Sequence, residues 1–341
     1  MDLIALATSA VERLPLPDSV TLTGVRYLCG RTQKKLEKLP DVEAAFAATM
    51  GAYPIAIHTE DANAQHYEVP AAFFDMCLGP RRKYSCCLYA DKTTTIEQAE
   101  EAALAATAEH AKLEDGQEIL ELGCGWGSLS LYMAKRYPKA KITAVSNSHS
   151  QRHHIMKLAK AQGSDNLEVI TCDMNDFDTE KRFDRVVSVE MFEHMSNWEE
   201  LLTRVKRWLK PEGFLFIHIF THDEASYRFD HEDKSDWIAQ HFFTGGIMPS
   251  HGLIRHFPTL FEVDEEWRWN GENYARTAFD WLDRFDRNIK DIRKILTSTY
   301  GDDARLWERR WRLFFLATAG LFGFDGGKPW AVSHYRLKPV V

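Results

Sequence analysis

The stretch Ile119-Leu120-Glu121-Leu122-Gly123-Cys124-Gly125-Trp126-Gly127-Ser128-Leu129 constrains this chain more than any other. An apolar run ending in Glu reads as a strand, and the segment after the glycines reads as a helix. Glycine at alternate positions lets the backbone turn sharply and lets a ligand approach without Cβ atoms in the way. The helix that follows presents unpaired N–H groups to whatever lies in the turn. A dinucleotide fingerprint of the Gly-x-Gly-x-x-Gly kind would put its third glycine one residue after Gly127. Taken alone, the triplet also suits an ordinary strand-to-helix turn.

The residues around this turn alternate between short apolar runs and longer amphipathic ones. Strands are expected at Glu118 to Glu121, Lys141 to Val145, Leu167 to Thr171, Phe183 to Val189 and Gly213 to His218. Helices are expected near 127–136, 149–162 and 196–209, the last stopped by Lys210-Pro211-Glu212-Gly213. Such βα alternation predicts an α/β fold with a doubly wound, mainly parallel sheet and right-handed crossovers. Upstream, Leu36, Leu39, Val42, Phe46 and Met50 recur as on one helix face, with breaks near Pro15-Leu16-Pro17 and Gly51-Ala52-Tyr53-Pro54. Residues 220–341 hold most of the ten tryptophans.

Composition excludes several classes of function. A net charge of −8 gives no global field for nucleic acid phosphate or an anionic membrane, although Arg81-Arg82-Lys83 could form a local basic patch. Arg309-Arg310-Trp311-Arg312 is too short to read as nucleic-acid binding. The six cysteines show no CxxC pairing, so neither a metal site nor a disulfide framework is expected, and a reducing cytoplasm fits best. The first residues, with an acid at position 2, do not read as a signal peptide, and no run reaches the ~18 apolar residues of a membrane span. The oligomeric state is open, a homodimer included.

The pattern Glu-x-Gly-x-Gly-x-Gly at Glu121–Gly127 resembles motif I of class I S-adenosylmethionine (SAM) methyltransferases. That resemblance makes SAM the expected cofactor. Ligands of a doubly wound sheet bind beyond the carboxyl ends of its strands, so each strand end can be asked for a chemical group. Glu121, Gly123, Cys124, Gly125 and Gly127 would hold the amino-acid end of SAM. Glu121 would pair with the ammonium or steady the turn. The second strand ends without a carboxylate for the ribose hydroxyls, leaving Ser146, Asn147 and Gln151 as polar partners. At the third, Asp173 could accept the adenine amino group with Met174 against the ring; the alternative is a helix N-cap at Asp173.

The fourth strand carries the strongest signal. Phe183–Val189 runs straight into Glu190-Met191-Phe192-Glu193-His194-Met195. Packing does not explain two carboxylates and an imidazole at the end of a buried strand, because desolvating them is costly. They suit a polar floor beneath a reacting centre, where a base or a cation-binding carboxylate is wanted.

Motif I, Tyr84-Ser85-Cys86-Cys87-Leu88-Tyr89 and Phe192-Glu193-His194 together resemble the cyclopropane fatty acid synthases and their relatives, among them the coclaurine N-methyltransferases. The resemblance runs from about residue 60, at His66-Tyr67-Glu68-Val69-Pro70, to the end. It implies an N-terminal helical segment covering the active site (1–90), a SAM-binding Rossmann-like core (91–220), and substrate-binding helices with closing strands (221–341). Tyr84 and Ser85 would join the SAM site; Cys86, Tyr89 and Phe220 would contact bicarbonate or substrate.

Two branches of this family diverge in chemistry. In the synthases the resemblance implies a bicarbonate site at Cys86, Glu193, His218 and Tyr274, the bicarbonate taking a proton after an alkene attacks the methyl. Those synthases usually carry a small residue where Glu190 stands. The coclaurine-like branch has Glu-x-x-Glu-His, as in Glu190, Glu193 and His194, implicated in gripping an amine. The double cysteine, Thr94-Thr95-Ile96-Glu97-Gln98-Ala99 and the ending Gly326-Gly327-Lys328-Pro329-Trp330 are also closer to that branch. N-methylation of a small arylalkylamine or tetrahydroisoquinoline-like amine is therefore expected over transfer to an unsaturated fatty acyl chain; an inactive SAM-binding subunit is the third reading. An alkylamine is mostly protonated near neutral pH and has no lone pair until a base acts. Glu190 and Glu193 are expected to hold it and His194 to take its proton, with His218 and Tyr274 secondary. Cys86 is read as a backbone contributor, and His222, His231 and His241 as loop residues near a lid.

Overall fold

The computed structural model describes residues 11–12, 14, 16–38, 43–57, 69–233 and 236–340, and everything below concerns these. In chain order the helices are α1 (Asp18–Leu36), α2 (Glu43–Met50), α3 (Ala71–Cys77), α4 (Ile96–His110), α5 (Ser128–Arg136), α6 (His149–Gln162) and α7 (Trp198–Trp208). They continue as α8 (Trp237–His241), α9 (Glu272–Arg287), α10 (Ile289–Tyr300) and α11 (Ala304–Phe322). The strands are β1 (Glu118–Leu122), β2 (Lys141–Ser146), β3 (Leu167–Thr171), β4 (Phe183–Val189) and β5 (Leu209–His222). After them come the short pair β6 (Tyr227–Arg228) and β7 (Ile247–Met248), then β8 (Phe261–Trp269) and β9 (Trp330–Pro339).

The main sheet has seven strands in the order β3-β2-β1-β4-β5-β9-β8. The first five are parallel, and β9 and β8 close the edge antiparallel. The reversal of strand order lies between β1 and β4, where a doubly wound sheet opens a crevice for ligand. The five expected strands form, and β5 is longer than expected at both ends. It extends to His222 because β9 pairs with it from Leu215 to His222 and satisfies backbone groups that would otherwise be bare. Its start absorbs Lys210-Pro211-Glu212 through an irregular pairing with β4 between Phe183 and Arg185, a place where proline is tolerated.

Helix ends follow local chemistry. Thr95 and Gln98 form a reciprocal capping box on α4, Ser148 caps α6 and Asn197 caps α7. Leu201, Leu202, Val205 and Trp208 are the buried stripe of α7, at the spacing a sheet-packed helix needs. The single helix face expected from Leu36 to Met50 does not exist: Leu36 closes α1, whereas Phe46 and Met50 belong to α2. Leu39, Val42, Pro15 and the segment His66-Tyr67-Glu68 lie outside the described residues.

The C-terminal helices contribute the bulk of one core. Trp281 and Phe285 of α9 and Trp311, Phe314 and Phe315 of α11 pack with Phe73 and Phe74 of α3, mostly edge to face. Each buried aromatic of this size contributes roughly 1.5–3 kcal/mol by leaving water. This layer and α1 roof the carboxyl end of the sheet, over the cavity described next. No described helix is long and apolar enough to cross a membrane.

Candidate active site

A cavity of about 1820 Å³ opens at the carboxyl ends of β1, β2, β3, β4 and β5. The glycine turn forms one wall. Gly123, Gly125 and Gly127 have φ of +80°, +51° and +84°, which glycine alone adopts without strain. Their roles then differ. A Cβ at Gly123 would sit 2.6 Å from the Met191 side chain and one at Gly127 2.6 Å from Ile155, so these two serve packing. A Cβ at Gly125 would meet nothing and would project into open space. Gly127 is the N-cap of α5 and lies behind the cavity wall, not on it.

Glu121 is fully buried and accepts a hydrogen bond from Ser130 Oγ, and burial pushes its carboxyl up to about 7. Cys124 lines the cavity, its thiol pushed well up by burial. Ser146, Asn147 and Gln151 line the next stretch, Ser146 Oγ donating to Gln151 Oε1 at 2.6 Å. Asp173 and Met174 follow. No helix begins at Asp173; its Oδ1 accepts the Asn175 amide at 2.8 Å in a turn. Tyr84 and Ser85 border the same space, Tyr84 wedged among Phe74, Trp281 and Phe314. A cradle open only at Gly125, a buried carboxyl and an array of amide and hydroxyl groups fit a ligand with an ammonium end and a nucleoside end. These residues suit SAM.

The end of β4 is the polar floor. Glu190 is held at φ +47°, a left-handed conformation that costs a non-glycine residue roughly 1–2 kcal/mol. The hydrogen bond from its amide to His218 O at 2.8 Å anchors it there. Its carboxylate collects three groups: Tyr274 Oη donates to Oε2 at 2.6 Å, the Cys86 amide donates to Oε1 at 3.0 Å, and His218 Nε2 lies 3.2 Å from Oε1. Burial nonetheless raises its pKa, against a lowering by nearby Lys83. Glu193, 1% exposed, lines the cavity, and its Oε2 has no hydrogen-bond partner among the described residues. Its pKa stands well above the carboxylate range, by burial first and then by the charge of Glu190. His194 is half-buried at the wall, stacked on Phe243 at 5.0 Å. His218 is fully buried and held neutral by desolvation.

The Tyr-Ser-Cys-Cys loop lies across this floor. Cys86 is fully buried, and desolvation lifts its thiol far above the reactive range, so only its backbone acts here. The neighbouring Cys87 amide donates to Thr277 Oγ1 and the Tyr89 amide to Asn273 Oδ1, tying the loop to α9. Phe220 lines the cavity and packs on Phe243 and Phe322. Tyr89 does not reach the site: its hydroxyl donates to Asp280 at 2.7 Å and Arg276 covers its ring, so it faces α9 instead. The expectation that it contacts bicarbonate or substrate is corrected accordingly.

Lys83 was not singled out from the sequence as a site residue. It is 2% exposed, and its ammonium donates to Ser85 Oγ at 2.5 Å and Cys86 O at 2.7 Å, shaping the loop that supplies the Cys86 amide. Nothing in Arg81-Arg82-Lys83 distinguishes it before folding. The expected basic patch dissolves: Arg81 pairs with Glu101, Arg82 with Asp75, and Lys83 turns inward. His222 is also buried, pushed down to about 4 by desolvation, with Nε2 2.9 Å from Gln33 Oε1, and it ties α1 to β5. His241 contacts Glu12 at 3.1 Å, and His231 is exposed. Of the tryptophans, Trp126, Trp237 and Trp330 line the cavity, while Trp281 and Trp311 are core. No cluster of three or more His, Cys, Asp or Glu side chains among the described residues could hold a metal ion.

Comparison with known proteins agrees with this geometry. The family model for mycolic acid cyclopropane synthetase matches residues 56–324. The chain is 34% identical to (S)-coclaurine N-methyltransferase of Thalictrum flavum subsp. glaucum over 289 residues, 83% of this chain and 80% of that protein. It is 31% identical to the cyclopropane-fatty-acyl-phospholipid synthase of Escherichia coli (strain K12) over 224 residues, 65% of this chain and 55% of that one. A crystal structure of coclaurine N-methyltransferase bound to N-methylheliamine and S-adenosylhomocysteine superposes with a TM-score of 0.94 and 29% identity, covering 99% of this chain and 100% of that one. A cyclopropane synthase from Mycobacterium tuberculosis shares the fold, with a TM-score of 0.69, 22% identity, and 83% of this chain and 98% of that one covered. The chain belongs to the mycolic acid cyclopropane synthetase family of SAM-dependent methyltransferases.

Proposed function

We propose that this enzyme N-methylates a small arylalkylamine or tetrahydroisoquinoline-like amine. The observation that carries the reading is the carboxylate of Glu190. The Cys86 amide, His218 and Tyr274 are three of the four groups the family resemblance assigns to bicarbonate, and all three contact that carboxylate. An anion supplied by the chain itself leaves no role for an external one. Beside it, Glu193 presents to the cavity a buried carboxyl oxygen that has no partner among the described residues. Two adjacent buried carboxyls raise each other's proton affinity, and an ammonium between them relieves both the repulsion and the lost hydration. The relatives named as N-methyltransferases of coclaurine and pavine support the same reading.

When bound, SAM supplies an electrophilic methyl on a sulfonium; Gly125, Glu121, Ser146, Asn147, Gln151, Asp173 and Met174 would hold it. Glu190 and Glu193 bind the substrate ammonium and aim its nitrogen. His194 takes or relays the ammonium proton, freeing the lone pair, with His218 and Tyr274 secondary through their bonds to Glu190. Phe220, Phe243, Phe314 and Trp330 give the amine an apolar, aromatic wall, and their ring faces attract a cation. Holding the nitrogen near 3 Å from the methyl supplies much of the rate. Six unpaired cysteines suit a cytoplasmic location.

The test is S-adenosylhomocysteine release from SAM with either arylalkylamines and tetrahydroisoquinolines or vesicles of unsaturated phospholipid. Turnover with amines alone is expected. Turnover with lipid alone overturns the reading and makes bicarbonate dependence the next measurement.

A further inference from the structure

Three buried or half-buried histidines extend from the polar floor toward the surface, and the methyl-transfer chemistry above uses only the first. His218 of β5 and His334 of β9 are direct cross-strand partners, and His334 is likewise opposite Trp267 of β8. The His218 and His334 rings are 4.5 Å apart, centre to centre. His334 Nδ1 lies 2.8 Å from Nδ1 of His110, the last residue of α4, whose ring stacks on Trp267 at 3.7 Å. Glu190, His218, His334 and His110 thus form a continuous row, from a carboxylate on the cavity to a half-buried imidazole outside the sheet.

Structure alone does not account for the row. His218 Nδ1 and His334 Nε2 are both fully buried and have no hydrogen-bond partner among the described residues. Buried unpaired ring nitrogens are costly, and one water bridging these two nitrogens would satisfy both. A stacked layer of aliphatic side chains would hold β5 to β9 at lower cost.

We propose that Glu190, His218, His334 and His110 form a proton-exit relay that carries the proton lost by the substrate ammonium out of the filled cavity. The proposal rests on the amine reading above. Methylating R2NH2+ gives R2NH(CH3)+, so one proton must leave per turnover. The His194–Glu193–Glu190 cluster collects that proton. Glu190 passes it to His218 Nε2 while His218 Nδ1–H gives its own proton outward, through the shared water, to His334 Nε2. His334 in turn releases the proton on Nδ1 to His110 Nδ1. His110 then gives its Nε2 proton to solvent; no bond other than N–H and O–H forms or breaks, and His218 and His334, left neutral in the other tautomer, regain the first by reorientation and proton exchange before the next turnover. Desolvation keeps His218 and His334 neutral, which a relay needs and a charge store would not. Burial first, with Lys83 adding to it, disfavours a resting proton at the inner stations; at His110 burial, joined by Arg336, outweighs Glu109 and Glu265, so the outer ring also gives its proton up readily.

The experiment replaces the outer station. His110→Ala is expected to lower kcat on amine on the order of tenfold, less than the ~10²–10⁴ of a group acting directly on substrate, with KM unchanged. The loss is expected to carry an enlarged solvent deuterium isotope effect, and millimolar imidazole should restore the rate. His334→Gln is expected to show the same loss without rescue. Wild-type kcat and isotope effect in both variants overturn the relay, as does a loss in His110→Ala that imidazole leaves unchanged. A second measurement needs no amine: 1H–15N NMR of the histidine rings in the wild-type complex with S-adenosylhomocysteine. Neutral His218 and His334, each populating both tautomers, are expected; a single locked tautomer at either ring overturns the proposal even if the wild-type enzyme refuses every amine.

Discussion

Replacing Glu190 by glycine tests the central geometric argument directly. Two local consequences oppose each other. Glycine relieves the roughly 1–2 kcal/mol that φ +47° costs a side-chain-bearing residue. Against this, Tyr274 Oη, the Cys86 amide and His218 Nε2 lose the carboxyl group they share, and each buried polar group left unpaired costs about 1–3 kcal/mol. The second effect is larger, so the variant is expected to melt at a lower temperature than the parent. Those three groups, with Lys83 nearby, would then make an open anion site of the kind the synthase branch implies. Bicarbonate or formate should therefore raise the melting temperature of Glu190→Gly. Saturation at a hundred times Kd returns about 2.7 kcal/mol, and the wild-type protein, whose own carboxylate fills the site, should not respond. In the S-adenosylhomocysteine assay the variant should lose on the order of 10²-fold or more in amine turnover. A Glu190→Gly protein that neither responds to these anions in melting nor loses amine turnover refutes the argument that this carboxylate is a built-in anion.

Other substitutions separate binding from chemistry. Glu193→Gln keeps the shape and removes the carboxyl that can ionise against a bound ammonium, so amine turnover should fall ~100-fold or more while SAM affinity, measured by calorimetry, stays near wild type. Glu121 is lifted to about 7 in the fold from 4.5, so the folded state holds its proton more tightly than the unfolded chain. Stability is thus expected to fall as pH rises from about 4.5 to about 7, and Glu121→Gln should flatten that part of the thermal-melt profile. Gly125→Ala and Gly127→Ala should part company. The first adds a methyl in open space and chiefly weakens SAM binding, at a strain cost of about 1 kcal/mol. The second drives a methyl to 2.6 Å from Ile155 and should destabilise α5 and the whole fold more, which urea melts of the pair will resolve.

The chain's local signals carried the architecture. Short apolar runs alternating with period-3.6 stretches placed all five parallel strands and the helices between them, because a strand covered on both faces is apolar throughout whereas a helix buries one stripe. The Glu-x-Gly-x-Gly-x-Gly turn and the run Glu190-Met191-Phe192-Glu193-His194 both border the cavity, as strand ends of a doubly wound sheet should. Errors arose where the folded surroundings, rather than the local pattern, decide a residue's place. Tyr89 looked like a site residue until Asp280, 191 positions later, claimed its hydroxyl. Lys83 looked like part of a surface patch until Ser85 and the Cys86 carbonyl drew it inside. The helix expected across Leu36 to Met50 ended at Leu36, since spacing alone does not mark where one helix gives way to another.

Residue types and their order were thus enough to determine the α/β class, the SAM-type turn and the presence of an acid-and-imidazole cluster at the end of β4. They could not determine what that cluster is paired with. Whether Glu190 stands free to meet a ligand or closes the donor set of Cys86, His218 and Tyr274 depends on four segments converging from residues 86, 190, 218 and 274. The adjacency of His218, His334 and Trp267 likewise exists only through the register of β5, β9 and β8. Patterning is a property of one segment, whereas a hydrogen-bond partner or a cross-strand neighbour belongs to the packed chain, and only tertiary structure assigns it.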